Sequence, residues 1–217
     1  MGSNYSYKPF HFSSHNKLIE MTESNKKVLD IGCSSGYIAA KLKEKNCTVF
    51  GIDNNKQALE TAKKYCKKVF LMDISKAKII GKYNIIILGD VIEHLPEPTH
   101  FLKRLKKNLK TDGYILISVP NIANIITRVN LFLGKFDYTD KGILDKTHLR
   151  FFTKKTLKNT IKEAGYKLVK LDSTPIPIFL ALPSLPKRFA VQIYKILNLL
   201  NMVYPNLFAY QFVAKIK

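Results

Sequence analysis

Short apolar runs alternate with amphipathic stretches along most of this chain. The run at 84–88, NIIIL, is continuously apolar and is typical of a central parallel strand, whose two faces are both covered. The pattern predicts strands at Val28–Ile31, Thr48–Ile52, Lys68–Met72, Asn84–Leu88, Tyr114–Val119, Lys167–Ser173 and Phe208–Ile216.

The segments between these strands follow helical spacing. The segment 99–109 has apolar residues on one side, as expected for a helix that packs on a sheet: Phe101, Leu102, Leu105 and Leu109. Helices are predicted at Ser35–Lys45, Lys56–Tyr65, Thr99–Leu109 and Lys154–Ala164. Strands separated by helices in this way predict an α/β fold with a doubly wound parallel sheet.

The first strand runs into a glycine-containing turn. Residues 28–36 read VLDIGCSSG, and Asp53 closes the next strand, TVFGID. Such a turn offers backbone N–H groups and room for a ligand, and an acidic residue after the second strand can accept both hydroxyls of a ribose. The two features together predict a nucleoside-binding βαβ unit.

The residues of this turn distinguish between kinds of nucleoside ligand. A dinucleotide fingerprint needs a third glycine inside the helix, which is lacking here, and Asp30 would repel a pyrophosphate. The same carboxylate would favour a ligand with an ammonium and a sulfonium centre. The turn resembles the first motif of class I S-adenosylmethionine-dependent methyltransferases, D-x-G-x-G-x-G, except that Ser34 replaces the middle glycine.

This resemblance covers about 28–173 and implies a fold and a set of cofactor residues. The fold would be a Rossmann-like, doubly wound seven-stranded sheet, mostly parallel, with 208–216 as an antiparallel last strand. The resemblance implies that, besides Asp30, the residues Gly32, Ser34 and Gly36 border the methionine part of the cofactor. Asp53 would hold the ribose hydroxyls, and Asp73 would face the adenine amino group. Gly89 and Asp90 would form the floor of the pocket for the methionine part. For Asp73 and Asp90, a helix cap or a loop carboxylate is an open alternative.

The sequence after the fourth predicted strand, GDVIEHLPEP, bears on the acceptor. It lacks the Asn/Asp-Pro-Pro-Tyr signature of methyltransferases that act on base amino groups, and Pro120 is not followed by the cysteine that attack at pyrimidine C5 requires. DVIEHLPEP instead resembles small-molecule O- and C-methyltransferases of the ubiquinone-biosynthesis type. His94 is a candidate general base; the alternative is that it caps or packs in a helix ahead of Pro96.

A second segment with candidate chemistry is 128–153, which contains five aromatic residues, several acids and the run DKTHLRFFT. It resembles methyltransferase domains found beside or fused to glycosyltransferases. In that resemblance Asp145, His148 and Arg150 would line the acceptor site, with His148 an alternative base. The competing interpretation is a loop held by pairing of Asp145 with Arg150 above a phenylalanine plug.

The segment 175–205 is proline-broken and largely apolar. We expect this segment to form a lid over the active site. The second interpretation is an interfacial helix that contacts a membrane surface, and the third is a dimer interface. The predicted division is an N-terminal lid or helical segment at 1–27, a core at 28–174 and 206–217 with a substrate-recognition insertion at 120–153, and an apolar helical insertion at 175–205.

The net charge and the cysteine content limit the kinds of partner and the cellular compartment that we expect. The net charge is +20, but it comes almost entirely from lysine, whereas readers of bases and phosphates favour arginine; a solvated surface is the preferred interpretation. The three cysteines have irregular spacing, which indicates a reducing compartment and a cytoplasmic location, with peripheral membrane contact as an open option. No carboxylate–histidine cluster at ligand spacing is visible, so no metal is expected.

The sequence therefore predicts an enzyme that uses S-adenosylmethionine and O-methylates a small molecule or a glycan or lipid-linked precursor. One alternative is an RNA methyltransferase, which only the charge supports. Another is a non-catalytic S-adenosylmethionine-binding partner protein. The oligomeric state is left open.

Overall fold

The computed structural model describes residues 13–75, 78–178 and 184–217. Its centre is a seven-stranded sheet in the order β3-β2-β1-β4-β5-β7-β6. The strands are β1 (Lys27–Ile31), β2 (Thr48–Asp53), β3 (Lys68–Leu71), β4 (Tyr83–Gly89), β5 (Leu109–Pro120), β6 (Leu168–Thr174) and β7 (Gln211–Ile216).

The sheet is mostly parallel, and β7 is its antiparallel member. This strand lies between β5 and β6 and pairs antiparallel with both, whereas β1 to β5 pair in parallel. The predicted fold class, a doubly wound seven-stranded sheet with an antiparallel last strand, is confirmed.

Helices cover both faces of the sheet. In β4, Ile86 and Leu88 belong to one apolar core, and Ile85 and Ile87 belong to the other, so every central residue of this strand is buried. This accounts for the unbroken apolar run in the sequence. The helices are α1 (Ser14–Met21), α2 (Tyr37–Lys43), α3 (Lys56–Ala62), α4 (Pro98–Leu105), α5 (Ile125–Phe132), α6 (Lys154–Glu163), α7 (Lys187–Val203) and α8 (Pro205–Phe208).

Two of the differences between the predicted and the observed element boundaries have a clear physical cause. Leu109 begins β5 rather than ending a helix, because it pairs with Tyr83 of β4. The last strand begins at Gln211 and not at Phe208, since Pro205 starts the short helix α8 at a position where its missing N–H is tolerated.

The segment 175–205 contains α7, which lies beside the edge strand β6. The Ser173 hydroxyl donates to Oδ1 of Asn201 at 2.9 Å and so joins the helix to the strand. Residues 179–183 of this segment, and 1–12 of the predicted N-terminal lid, lie outside the described residues. Among the residues described, no helix combines the length and apolarity needed to cross a bilayer.

Candidate functional site

A cavity of about 470 Å³ opens at the carboxyl ends of β1, β2 and β4. Ligands in open α/β sheets bind at this edge, and the volume is in the range of small-molecule sites. Eight of the residues predicted from sequence line it: Gly32, Ser34, Asp53, Asp73, Gly89, Asp90, His94 and His148.

The turn after β1 requires glycine at its first position. Gly32 has a φ of +74°, and a Cβ there would come within 2.7 Å of Cγ2 of Val91. Ser34 adopts a φ of +47° despite its side chain. Gly36 also has a positive φ, but a Cβ on it would meet Ala62, so this glycine sets the packing of α2 on α3 and does not line the cavity.

Backbone N–H groups fix the carboxylate of Asp53. The Ser34 N–H donates to Oδ2 at 2.7 Å, and the Asn55 N–H donates to Oδ1 at 2.8 Å. These bonds use two of the roughly four acceptor positions of a carboxylate. Asp53 can therefore order the turn after β1 and still accept hydrogen bonds from a ligand in the cavity.

Asp30 and Asp73 occupy different environments. Asp30 is buried beneath the turn and does not line the cavity. Burial, and secondarily the charge of Asp53, raises the pKa of Asp30 to about 8. Asp73 lines the cavity and also accepts from the N–H and hydroxyl of Ser75 at 2.9 and 2.7 Å, which is the loop-carboxylate arrangement that the sequence left open.

Asp90 is held from across the sheet. The Ser118 hydroxyl donates to Oδ1 at 2.6 Å, and Nε2 of Gln211 donates to both carboxylate oxygens at 2.8 and 2.7 Å. Asp90 has a φ of +56°, which directs the chain away from β4 at the cavity floor. At the neighbouring Gly89, a Cβ would lie 3.2 Å from Leu18 of α1.

His94 and His148 meet at the cavity although they are far apart in sequence. Their ring centroids are 4.8 Å apart, with the planes inclined at 67°. Burial, opposed by a hydrogen bond from its ring to the Ile143 carbonyl, lowers the pKa of His148, so this imidazole is neutral at pH 7. Both predicted base candidates are thus placed where an acceptor could reach them.

The same two imidazoles form a cluster with Glu93. One ligand atom of each of these three residues lies within 4.8 Å of the other two. The pattern of residues in the sequence did not indicate this carboxylate–histidine group. Sequence spacing could not reveal this cluster, because the loop that carries His148 joins Glu93 and His94 only in the folded chain.

The two predicted acceptor residues lie outside the cavity lining. Asp145 is buried, and its Oδ1 accepts from the N–H and hydroxyl of Thr147 at 2.8 and 2.6 Å. Arg150 is exposed in a neighbouring depression and donates from Nε to the Pro96 carbonyl at 2.9 Å. Phe152 is buried in the core, as the alternative interpretation of this loop expects.

Several residues that line the cavity carried no clear signal in the sequence. Tyr37 follows the glycine turn directly, and its hydroxyl lies 3.0 Å from Nε2 of His15 on α1. The unpredicted lining residues include His15, Tyr37, Asn55, Glu93, Tyr210 and Gln211. Of these, Tyr37 and Glu93 could have been inferred from their positions, beside the glycine turn and within the run DVIEHLPEP.

Comparison with known proteins agrees with this geometry. The methyltransferase domain family matches residues 6–171. A ubiquinone biosynthesis O-methyltransferase from Acinetobacter baylyi is 26% identical over 156 residues, which are 67% of this chain and 65% of that protein. A protein with the same name from Actinobacillus pleuropneumoniae is 29% identical over 54% of this chain and 58% of its own length. The chain thus spans about three fifths of these relatives.

Solved structures show the same fold. An S-adenosylmethionine-dependent methyltransferase from Archaeoglobus fulgidus superposes with a TM-score of 0.63 at 21% identity, covering 92% of this chain and 89% of that one. A second, from Mesorhizobium loti, also reaches 0.63 at 10% identity, covering 94% and 97%.

Proposed function

The chain belongs to the methyltransferase domain family and is an S-adenosylmethionine-dependent methyltransferase domain; on this premise we propose that its acceptor is a hydroxyl group of a small molecule or of a glycan or lipid-linked precursor. The observation that carries the proposal is the pair of imidazoles, His94 and His148, in the lining of the cavity that Asp53 and the turn after β1 border.

The residues of the cavity fit S-adenosylmethionine. Gly32 leaves the space beside Val91 that a side chain would fill, and Asp53 retains acceptor capacity for ribose hydroxyls. When bound, this cofactor supplies a methyl group from its sulfonium; the acceptor oxygen forms the new C–O bond, the S–C bond electrons stay on sulfur, and the hydroxyl proton is released.

We assign the cofactor contacts on this basis. Asp53 holds the ribose, and Gly32 and Ser34 border the methionine moiety. Asp73 faces the adenine, while Gly89 and Asp90 form the floor of the methionine part. Asp30 and Gly36 act from beneath, by supporting the turn and the packing of α2.

The acceptor hydroxyl must be aligned with the methyl group and must lose its proton. We place this hydroxyl against His94 and His148, because both imidazoles line the cavity and the lowered pKa of His148 keeps it unprotonated at neutral pH. Asp145 helps to hold the His94 imidazole through Thr147 and does not itself contact the acceptor.

The names of the relatives support a small-molecule acceptor. The ubiquinone biosynthesis O-methyltransferases match 67% and 54% of this chain. The RNA alternative rests on net charge alone, and the chain contains only the arginines Arg104, Arg128, Arg150 and Arg188.

We further propose that apolar residues on α5 and α7 bring the enzyme to a membrane surface. Phe132 is 89% exposed, and Leu199 and Met202 of α7 are 61% and 71% exposed. Sedimentation with anionic liposomes tests this proposal. We expect the protein to co-sediment with the liposomes, and the double variant Phe132→Ser, Leu199→Ser to co-sediment less. Absence of liposome binding at low salt would contradict the proposal.

An acceptor screen tests the main proposal. Protein is incubated with methyl-labelled S-adenosylmethionine and separate pools of quinol and phenol compounds, nucleotide sugars, lipid-linked glycans and RNA. Label is expected in a hydroxyl-bearing small-molecule or glycan pool, and loss of that label in the His94→Ala, His148→Ala double variant. Label in RNA alone would overturn the assignment.

A further inference from the structure

Three potential metal ligands converge on one wall of the cavity. Glu93 is 1% exposed, His148 is 8% exposed, and His94 is half-buried. Each contributes one ligand atom to a group in which no two atoms are more than 4.8 Å apart. Two imidazole nitrogens and one carboxylate oxygen form a set that divalent transition-metal cations favour.

Hydrogen bonds fix the ring nitrogen that each histidine presents. Nδ1 of His148 lies 3.0 Å from the Ile143 carbonyl, and Nδ1 of His94 lies 3.1 Å from the Thr147 carbonyl. A carbonyl oxygen only accepts, so each Nδ1 carries the hydrogen and each Nε2 keeps its lone pair. Metal-binding histidines are oriented in this way, with the other ring N–H donated to a carbonyl or carboxylate.

Further hydrogen bonds hold Thr147, the partner of His94, in place. The Thr147 hydroxyl donates to Oδ1 of Asp145 at 2.6 Å, and its oxygen lies 3.1 Å from Nδ1 of His94. Asp145 is 2% exposed. The buried Asp145 carboxylate thus holds the Thr147 hydroxyl, which in turn contacts the His94 imidazole. Hydrogen-bonded groups behind a metal-binding histidine orient its ring in this way.

Backbone bonds lock the two parts of the cluster together. The Glu93 carbonyl accepts from the N–H groups of Leu149 and Arg150 at 2.8 and 2.9 Å. The residues around His148 are therefore attached to the 3₁₀ turn Ile92–His94, which keeps the backbone segments that carry the three side chains together.

We propose that Glu93, His94 and His148 bind one divalent cation in a two-histidine, one-carboxylate site that leaves coordination positions open toward the cavity. Ligands about 2.1 Å from such a cation lie roughly 3.0–3.5 Å from one another. Movements of the side chains on the order of 1 Å close the present separation to that value.

A catalytic role for the cation rests on the proposed function. The acceptor hydroxyl would take an open position, where the cation lowers its pKa and water at the cavity mouth receives the proton. The two imidazoles would then promote deprotonation as metal ligands rather than by taking the proton themselves. The acceptor oxygen gains the methyl group, and no oxidation or reduction occurs.

Binding of Mn²⁺, followed by loss of the free-ion electron paramagnetic resonance signal, tests the site directly. We expect one Mn²⁺ per chain, with affinity at least about tenfold weaker in His148→Gln and in Glu93→Gln, a loss typical of removing a ligand or its support. His100→Gln is the matched control: this exposed histidine lies 4.0 Å from Glu97, outside the cavity, and its replacement should leave Mn²⁺ affinity unchanged.

Circular dichroism and S-adenosylmethionine titration of each variant separate loss of the site from loss of folding. Absence of saturable Mn²⁺ binding in the unaltered protein, or equal binding in His148→Gln and Glu93→Gln when both remain folded, would overturn the site. Full methyl transfer after chelation would overturn the catalytic role while the proposed function stands. Mn²⁺ binding at these residues without methylation of any acceptor would leave the site intact and overturn the proposed function.

Discussion

Replacing Gly32 with alanine perturbs the turn after β1 in two ways. The residue has a φ of +74°, a left-handed conformation that costs an alanine about 1–2 kcal/mol. Its new Cβ would also lie 2.7 Å from Cγ2 of Val91, so the Val91 methyl group must move by about 0.7 Å to reach an ordinary contact. Overpacking of this kind costs about 1–3 kcal/mol.

Gly134 offers a matched control. Its φ is +71°, nearly that of Gly32, but a Cβ there has no neighbour within 4 Å among the described residues. Gly134→Ala should therefore lose only the conformational part of the free energy of unfolding. We expect Gly32→Ala to lose about 1–3 kcal/mol more, which lowers Tm by roughly 2–10 °C beyond the control in a chain of this size.

Binding separates the two variants further. Val91 lines the cavity, so Gly32→Ala should weaken S-adenosylmethionine at least about tenfold in calorimetry, or about 1.4 kcal/mol. Gly134→Ala should bind like the unaltered protein. Adding Val91→Ala to Gly32→Ala removes the contact and should recover part of the affinity. Equal stability losses in the two single variants, with affinity unchanged in both, would refute this reasoning.

Two further predictions concern the carboxylates of Asp30 and Asp90. The pKa of Asp30 is raised to about 8 by burial and then by Asp53, from an ordinary 3.8, so the folded state holds a proton that the unfolded state releases between these values. Stability should therefore fall as pH rises from about 4 to 8, by up to about 1.4 kcal/mol per unit, and urea unfolding of Asp30→Asn should lack this component; identical pH slopes would contradict it. Gln211→Leu removes the amide that donates to both oxygens of Asp90 and should lower stability by about 1–3 kcal/mol and weaken S-adenosylmethionine. Exposed Gln57→Leu is the control, and equal effects of the two leucine variants would count against the Asp90 role.

Local sequence signals were sufficient to place Gly32 and Asp53 at the cavity. Gly32 and Asp53 each stand at the end of a strand, and β1 and β2 are parallel neighbours, so their carboxyl ends meet without any long-range information. The apolar run of β4 likewise identified a strand that is covered on both faces. These features are properties of single segments, which is why the pattern predicted them correctly.

Other parts of the cavity depend on contacts that no local pattern encodes. Gln211 reaches Asp90 across 121 residues because β7 is inserted between β5 and β6. Helix α5 was not predicted; Asn124 caps it and also donates to the Ala209 carbonyl at 2.8 Å, a tertiary contact. The cluster of Glu93 with two histidines arises in the same way, from a loop attached to a 3₁₀ turn by backbone hydrogen bonds.

Calorimetric titration with S-adenosylmethionine tests the central claim most directly, by comparing the unaltered protein with Asp53→Ala and with Asp112→Ala. Asp112 is an exposed carboxylate 3.5 Å from the Lys217 ammonium, far from the turn after β1, and serves as the control. The account predicts one saturable site per chain, at least about tenfold weaker in Asp53→Ala and unchanged in Asp112→Ala. No heat of binding in the unaltered protein, or equal affinity in Asp53→Ala, would contradict it.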